Sequence, residues 1–173
     1  MIATGSPDDQ GAGRGRKHAL NVPLDEGCSD ETFKHVFEVT LTKCMQWYQP
    51  QAIMMVCGAD GLANDPQGIW NLTEKSLLFA LHLVLKSQLP TLVLGGGGYH
   101  HANTARLWAA MTRLCIAGEV QSDEDVPEHA YWHMYAPSFS MHVDAQSRPD
   151  LHRQRGPEFF KNLSVRLDRH FNS

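Results

Sequence analysis

The chain has 173 residues, of which 42% are hydrophobic and 20% charged, so it can bury a core as one domain or as part of a larger one. Its net charge of -4 argues against binding nucleic acid through a basic surface, because phosphate contacts need Lys and Arg. No segment approaches the roughly 20 apolar residues of a membrane span, and Met1 to Gly15 lacks the apolar core of a secretory signal. We therefore expect neither direct nucleic-acid binding nor a membrane partner.

The four cysteines do not form a pattern. Cys28, Cys44, Cys57 and Cys115 include no C-x-x-C pair, and three of them lie in strongly apolar segments. This arrangement predicts buried, reduced thiols rather than disulfides or a structural zinc site.

The N-terminal part of the chain begins with an irregular segment, residues 1–18, which is rich in Gly, Asp and Arg and lacks periodicity. Within the remaining unit, residues 19–173, Asn21–Leu24 fits a short strand. Ser29 is a candidate N-cap for a first helix, in which apolar residues recur at helical spacing until Pro50 stops it.

The middle of the chain alternates strands with helices. Ala52–Cys57 is a continuous apolar run, which favours a strand covered on both faces, and Thr91–Leu94 is the next strand. Thr73 caps a helix between them, and Gly118 closes a third helix. The alternation predicts an α/β fold with a parallel sheet flanked by helices.

The C-terminal part contains one more predicted helix. Residues 121–149 are polar, aromatic and irregular, and we expect them to cover one edge of the sheet. Residues 157–171 form an amphipathic pattern with apolar residues on one side, which predicts a final helix.

Ligand sites in parallel α/β sheets lie at the carboxyl ends of the strands, and two segments fall there. Asp60 follows the first strand, where it can hold a metal or substrate, although such an Asp is more often a hydrogen-bond acceptor in a loop. Gly95 to Gly98 follow the second strand and lead into Tyr99, whose hydroxyl can donate to a developing oxyanion. The alternative is a tight turn with an ordinary surface tyrosine.

Three further polar residues near these motifs are better explained by structural roles than by catalysis. His100 and His101 lie at the entry to the third helix and are expected to be surface residues rather than a catalytic pair. Asp65 precedes Pro66 and fits a turn-forming residue that helps to order the loop after Asp60.

Taken together, these motifs resemble class I zinc-dependent histone deacetylases. The matching segments occur in the family's order over nearly the whole chain: Asn21–Leu24, Cys57–Leu62, Asp65, Asn71–Thr73, Leu94–Tyr99 and Asn103–Arg106. The resemblance implies an arginase-like parallel sheet, present here as a partial domain, and zinc-dependent hydrolysis of N-acetyl-lysine on histone tails or other proteins.

The resemblance also implies roles for individual residues. Asp60 is similar to the last of three protein ligands of the catalytic zinc, and Tyr99 to the tyrosine that stabilises the tetrahedral oxyanion. Gly97 and Gly98 correspond to glycines that line the lysine channel. At the pocket rim, Gln67 stands where the family carries an apolar residue.

The matching residues cover only the C-terminal half of the family's catalytic domain. The tandem-histidine general base and the Asp-x-His pair of zinc ligands belong to the other half, and no Asp-x-His occurs here. We therefore expect an incomplete zinc site and an inactive isolated chain with an open sheet edge and low stability. We also expect a missing N-terminal half to be a partner. The family implies a nuclear location, with the cytoplasm left open.

Two positions indicate which branch of the family the chain resembles most. Corepressor-bound class I enzymes carry arginines that bind an inositol phosphate, and Pro66 and Ala102 stand at those positions. This is more similar to the histone deacetylase 8 branch, which works without that cofactor.

Three functions remain open on the sequence: a full deacetylase of which this chain is a truncated product, a non-catalytic fragment that binds a partner, and an unrelated nucleotide-binding domain. The third is disfavoured because Tyr99 and His100 interrupt a G-x-G-x-x-G spacing.

Overall fold

The computed structural model describes residues 5–118 and 124–172. Its helices and strands are α1 (Asp30–Tyr48), β1 (Ile53–Cys57), α2 (Glu74–Lys86), β2 (Thr91–Gly95), α3 (His101–Ala117), α4 (Leu151–Gln154) and α5 (Pro157–Asn172), with short 3-10 turns at Gly13–Gly15 and Trp132–Tyr135. Among these residues, no helix is both long and apolar enough to cross a membrane.

The sheet consists of β1 and β2, which pair in parallel from Ile53 opposite Thr91 to Cys57 opposite Gly95. The chain between the two strands contains α2, so β1, α2 and β2 form a β-α-β unit. The predicted α/β fold, a parallel sheet flanked by helices, is confirmed.

The helix boundaries follow from local capping. The Ser29 side chain accepts a hydrogen bond from the Thr32 amide at the start of α1, and Thr73 accepts one from the Lys75 amide at the start of α2. At the end of α3, Gly118 adopts a left-handed conformation and its amide donates to the Leu114 carbonyl. These three predicted caps are confirmed.

One face of the sheet is covered by helices. Met55 and Val93 pack against a buried cluster that includes Leu77 and Leu81 of α2 and Leu107 of α3. A second cluster joins α1 to α5 through Val36 of α1 and Leu163 and Leu167 of α5. The core therefore lies between the sheet and one layer of helices.

The opposite face of the sheet is exposed, so the prediction that β1 is covered on both faces was wrong. Met54 is 68% exposed and Val56 is 63% exposed, and Leu92 and Leu94 of β2 are exposed beside them. Successive side chains of a strand point to opposite faces, and the described helices cover only the face that carries Met55 and Val93. An apolar run thus indicated the strand but not what packs on it.

Two further expectations need correction. Asn21–Leu24 is not a strand, since its carbonyls at Asn21 and Leu24 accept hydrogen bonds from the Arg166 and Trp70 side chains instead of a neighbouring strand. The described part of the 121–149 segment lies against α2 and α3 rather than a sheet edge: the Val143 amide donates to Glu74 of α2, and the Arg106 side chain of α3 donates to the Ser140 carbonyl. Residues 121–123 lie outside the described residues.

The expectation of buried thiols holds for two of the four cysteines. Cys28 and Cys57 are buried, whereas Cys44 is partly exposed and Cys115 is exposed. All four are free, and burial raises the pKa of the Cys28 thiol to about 12, with Asp150 contributing next.

Candidate functional site

The loops that follow β1 and β2 meet at the carboxyl end of the sheet. Because the strands are parallel and end opposite one another, at Cys57 and Gly95, both loops leave from the same edge. The Ala59 amide donates to the Gly97 carbonyl at 2.5 Å, which ties the two loops together directly after the strands. The segment around Asp60 is therefore fixed against the glycine run.

Glycine is required in this run because the loops approach too closely for a side chain. A Cβ atom on Gly96 would lie 2.8 Å from the Gly58 Cα atom, and one on Gly97 would lie 2.6 Å from the Asp60 Cγ atom. Gly98 has a φ of +145°, and a Cβ atom there would lie 2.5 Å from the Thr104 hydroxyl. The run thus leaves the Asp60 carboxylate in contact with bare backbone.

The Asp60 carboxylate has no partner among the residues that the structure describes. The residue is exposed, and its side chain makes no hydrogen bond or ion pair with any residue that the structure describes. It lines an open cavity of about 440 Å³ together with Gln67, Trp70 and the 21–24 segment. The carboxylate is therefore accessible to a ligand and is not engaged by any described residue.

Tyr99 is held by its backbone rather than by its ring. Its amide donates to the Asp65 carboxylate at 2.6 Å, and the His100 amide donates to the same oxygen at 3.2 Å. The Tyr99 side chain is 45% exposed. Its phenol group is accessible for an interaction with a ligand.

The structure thus brings together some of the sequence-predicted residues and not others. Asp60 and Gly97 are in contact, Gly98 packs on Ala59, and Gln67 shares the cavity with Asp60. Tyr99 does not line that cavity. It is linked to the Asp60 loop through Asp65, as described above.

Some of this geometry was only partly visible in the sequence. Asp65 forms the expected turn, since its carboxylate accepts from the Gln67 amide at 2.9 Å, but it also holds Tyr99 from 34 residues away. The His100 ring nitrogen accepts from the Asn103 amide and caps α3, which gives this residue a structural role at the entry to the helix. The Asn103 side chain donates to the Ala63 carbonyl, which adds a second tie to the loop.

The described residues do not fit a complete zinc site. Within residues 5–118 and 124–172, no three His, Cys, Asp or Glu side chains lie close enough together to hold a metal ion. The nearest thiol in the chain, Cys57, is buried, which raises its pKa and keeps it protonated. Asp60 therefore remains a single carboxylate ligand at most.

Comparison with known proteins identifies the family. The family model of the histone deacetylase domain matches residues 3–115. The chain is 37% identical over 167 residues to histone deacetylase 8 of Xenopus laevis, with 96% of this chain and 51% of that protein covered. It is 41% identical to histone deacetylase 8 of Xenopus tropicalis over 165 residues, covering 95% of this chain and 44% of that protein. It is also 39% identical to histone deacetylase clr6 of Schizosaccharomyces pombe over 140 residues, covering 81% and 34%.

The chain spans about half the length, or less, of these curated relatives. The matched region includes β1 and β2, Asp60 in the loop after β1, and the glycine run after β2 that leads to Tyr99. This chain belongs to the class I histone deacetylases and contains part of their arginase-like domain.

Proposed function

We propose that this chain contributes Asp60 and Tyr99 to the active site of a deacetylase that hydrolyses N-acetyl-lysine on histones or other proteins. The observation that carries the proposal is the junction at the carboxyl end of the sheet, where an unpartnered carboxylate faces a glycine run that leads into an accessible tyrosine. The names of the relatives, all histone deacetylases, support the same reaction.

Tyr99 has the chemistry that amide hydrolysis requires. Attack on an acetyl carbonyl places negative charge on its oxygen, and a phenol O–H that donates to this oxygen lowers the barrier. Gly97 and Gly98 present no side chain, so an extended acetyl-lysine stem can pass along their backbone. Gln67 lines the cavity that Asp60 also lines and would favour polar groups at the rim.

Zinc is the metal on which the family generally depends, and the carboxylate of Asp60 would be one of the zinc ligands. The other ligands and the general base would come from outside the described residues, because these contain no three-ligand cluster. We therefore expect the isolated chain to be inactive, and we include a complementary part of the domain among its partners, next to the acetylated protein substrate.

The complementary part would cover the exposed sheet face. Met54, Val56, Leu92 and Leu94 form an apolar surface, which soluble proteins normally bury. The relatives are about twice as long as this chain or longer, so they contain enough additional chain to cover it. The two-stranded sheet also offers free edges for further strands.

A hybrid enzyme tests the deacetylase function. This chain replaces the corresponding half of the Xenopus laevis relative, and lysine release from an acetyl-lysine peptide is measured. We expect activity that Tyr99→Phe lowers by about 100-fold or more, since one oxyanion donor is lost. Tyr48→Phe alters an exposed tyrosine on α1 and is the matched control, with a rate within about 2-fold. A Tyr99→Phe hybrid as fast as its parent would contradict the proposal.

A second candidate function, partner binding without catalysis, is supported by the exposed sheet face. For this we measure binding of the complementary half of the same relative to this chain in trans. Leu92→Lys should weaken binding by about 10-fold or more, because it places a charge in an apolar interface. Val165→Lys alters an exposed apolar residue on α5 and should leave binding unchanged. Tight binding with no activity in the hybrid would favour this second function.

A nuclear location is proposed on the same basis, because histones are the expected substrates. Imaging of the tagged chain in cells, with and without the complementary half, tests it. Exclusion from the nucleus in both cases would contradict the histone assignment.

A further inference from the structure

We propose that Asp65 is a positioning residue that fixes Tyr99 for the reaction; this inference rests on the proposed function above. The Asp65 side chain is nearly buried, at 7% exposure. Its Oδ2 atom accepts hydrogen bonds from the Tyr99 amide at 2.6 Å and the His100 amide at 3.2 Å, and its Oδ1 atom accepts from the Gln67 amide at 2.9 Å. One carboxylate therefore connects the cavity rim to the tyrosine.

The glycine run gives Tyr99 little support of its own. Gly95 to Gly98 have no side chains, and Gly98 adopts a φ of +145° that is available mainly to glycine. The segment is fixed before Tyr99 by the hydrogen bond between Ala59 and Gly97, and directly at Tyr99 by Asp65. Without Asp65, Tyr99 would be held only through its neighbours, by the Gly97 carbonyl two residues earlier and by the His100 carbonyl, which accepts from Thr104 at the start of α3.

The charge of Asp65 suits this role. No Lys, Arg or His pairs with it among the described residues, so its negative charge is balanced by the amides that it accepts from. Two of these amides immediately precede the body of α3, where the helix dipole favours an anion. Hydrogen bonds to an ionised acceptor are about twice as strong as neutral ones, which makes the link stiff.

The Asp65→Asn variant distinguishes the positioning of Tyr99 from a role in general packing. Asn has nearly the same shape but keeps one oxygen, and its NH₂ group would face amide donors on the other side. In either orientation the charge of residue 65 is lost, so the hydrogen bonds from the Tyr99 and His100 amides weaken even where the remaining oxygen still faces them. Asp30→Asn is the matched control, because Asp30 holds the start of α2 in the same way, through the Thr73 amide at 2.8 Å and hydroxyl at 2.5 Å.

The first measurement is amide hydrogen exchange in the full chain. We expect exchange at Tyr99 and His100 to rise by about 10-fold or more in Asp65→Asn, because local opening becomes easier. Asp30→Asn should accelerate exchange at Thr73 and leave Tyr99 unchanged. Unchanged exchange at Tyr99 in Asp65→Asn would overturn the proposal, and so would a uniform increase over the whole chain.

The second measurement uses the hybrid enzyme. Asp65→Asn should lower kcat by about 10- to 100-fold with little change in KM, since misplacing a catalytic group has effects of that size. Asp65→Glu keeps the charge, and it should restore part of the loss and serve as the test if the Asn variant fails to fold. Asp30→Asn should keep kcat within about 2-fold.

A double variant shows whether Asp65 acts through the tyrosine. Asp65→Asn combined with Tyr99→Phe should be no slower than Tyr99→Phe alone, because the group being positioned is already absent. Multiplying losses would assign Asp65 an independent structural role and overturn the proposal. An inactive parent hybrid would count against the proposed function, whereas the exchange rates decide separately whether Asp65 holds Tyr99.

Discussion

Two carboxylates in this chain, Asp60 and Asp150, differ in the number of hydrogen bonds that they accept from the protein. Asp150 Oδ2 accepts from the Ser29 amide at 3.0 Å and from the hydroxyls of Ser29 at 2.6 Å and Thr32 at 2.7 Å, and its Oδ1 atom accepts from the His152 amide at 2.9 Å. Asp60 accepts from none of the described residues. A carboxylate saturated by protein donors serves the fold, and one with free oxygens is available to a ligand.

The Asp150 region also joins distant parts of the chain. His152 is completely buried, and its Nε2 atom accepts from the Asp25 amide at 2.8 Å. Its Nδ1 atom lies 3.0 Å from Asp150. The start of α1, the loop before it and the start of α4 therefore meet at one buried polar cluster, whereas the Asp60 side chain joins no such cluster among the described residues.

The largest expected effect is the loss of the Asp150 charge. Asp150→Asn removes one acceptor oxygen and weakens several charge-assisted hydrogen bonds, so we expect a loss of about 3 kcal/mol in the free energy of unfolding. Urea denaturation of the full chain measures it. Asp168→Asn is the control, because it breaks only the exposed pair with Lys43, and it should cost less than about 1 kcal/mol. Equal losses in the two variants would contradict the contrast drawn here.

The glycine run should respond to a single methyl group. Gly98→Ala forces a side chain into a left-handed conformation, 2.5 Å from the Thr104 hydroxyl and 2.8 Å from the Ala59 Cβ atom, so we expect a loss of about 2 kcal/mol. Gly118→Ala separates the two causes, because Gly118 has a φ of +71° with no neighbouring atom within 4 Å. It should cost only about 1 kcal/mol. Thermal unfolding of both variants separates the cost of a positive φ, which both share, from the steric conflict that only Gly98→Ala introduces.

The strongest sequence signals were local. Ser29, Thr73 and Gly118 were identifiable as caps because each acts within a few residues, and the apolar runs marked β1 and β2 to within one residue. The exposed sheet face was not predictable, because Met54 and Met55 have the same chemistry and only the position of the helices distinguishes them.

Among the polar residues, too, only those marked by their local sequence position could be predicted. Asp60, Tyr99 and the glycines could be named as site residues because each follows the end of a predicted strand. The second role of Asp65 could not be, since it depends on how closely the two loops approach in space. The Asp150 cluster was missed because its partners Ser29 and Thr32 lie about 120 residues earlier in the chain.

Acid should weaken the fold through Asp150. Burial alone would raise its pKa, but hydrogen bonds from Ser29, Thr32 and His152 outweigh burial and hold the pKa well below its ordinary value of 3.8. A group whose pKa is lower in the folded state stabilises the fold above the unfolded pKa and loses that contribution as pH falls towards the folded pKa. From pH 6 to pH 3 the loss from this group should be about 1 kcal/mol.

Comparison with Asp150→Asn isolates this contribution from those of other carboxylates. The difference in unfolding free energy between the unsubstituted chain and Asp150→Asn should shrink by about 1 kcal/mol between pH 6 and pH 3. Denaturation curves at both pH values measure it. A difference that stays constant would mean that Asp150 titrates alike in the folded and unfolded chains.

The smallest expected effect on stability is at Asp60. Asp60→Asn removes a charge that no described residue pairs with, in a side chain of the same size, so the unfolding free energy should change by less than about 0.5 kcal/mol. In the hybrid enzyme the same substitution should abolish deacetylation, because an amide is a poor metal ligand compared with a carboxylate. Stability and activity are thus predicted to separate completely at Asp60 and to be lost together at Asp150. A destabilised Asp60→Asn chain would place Asp60 with Asp150 as a residue that serves the fold.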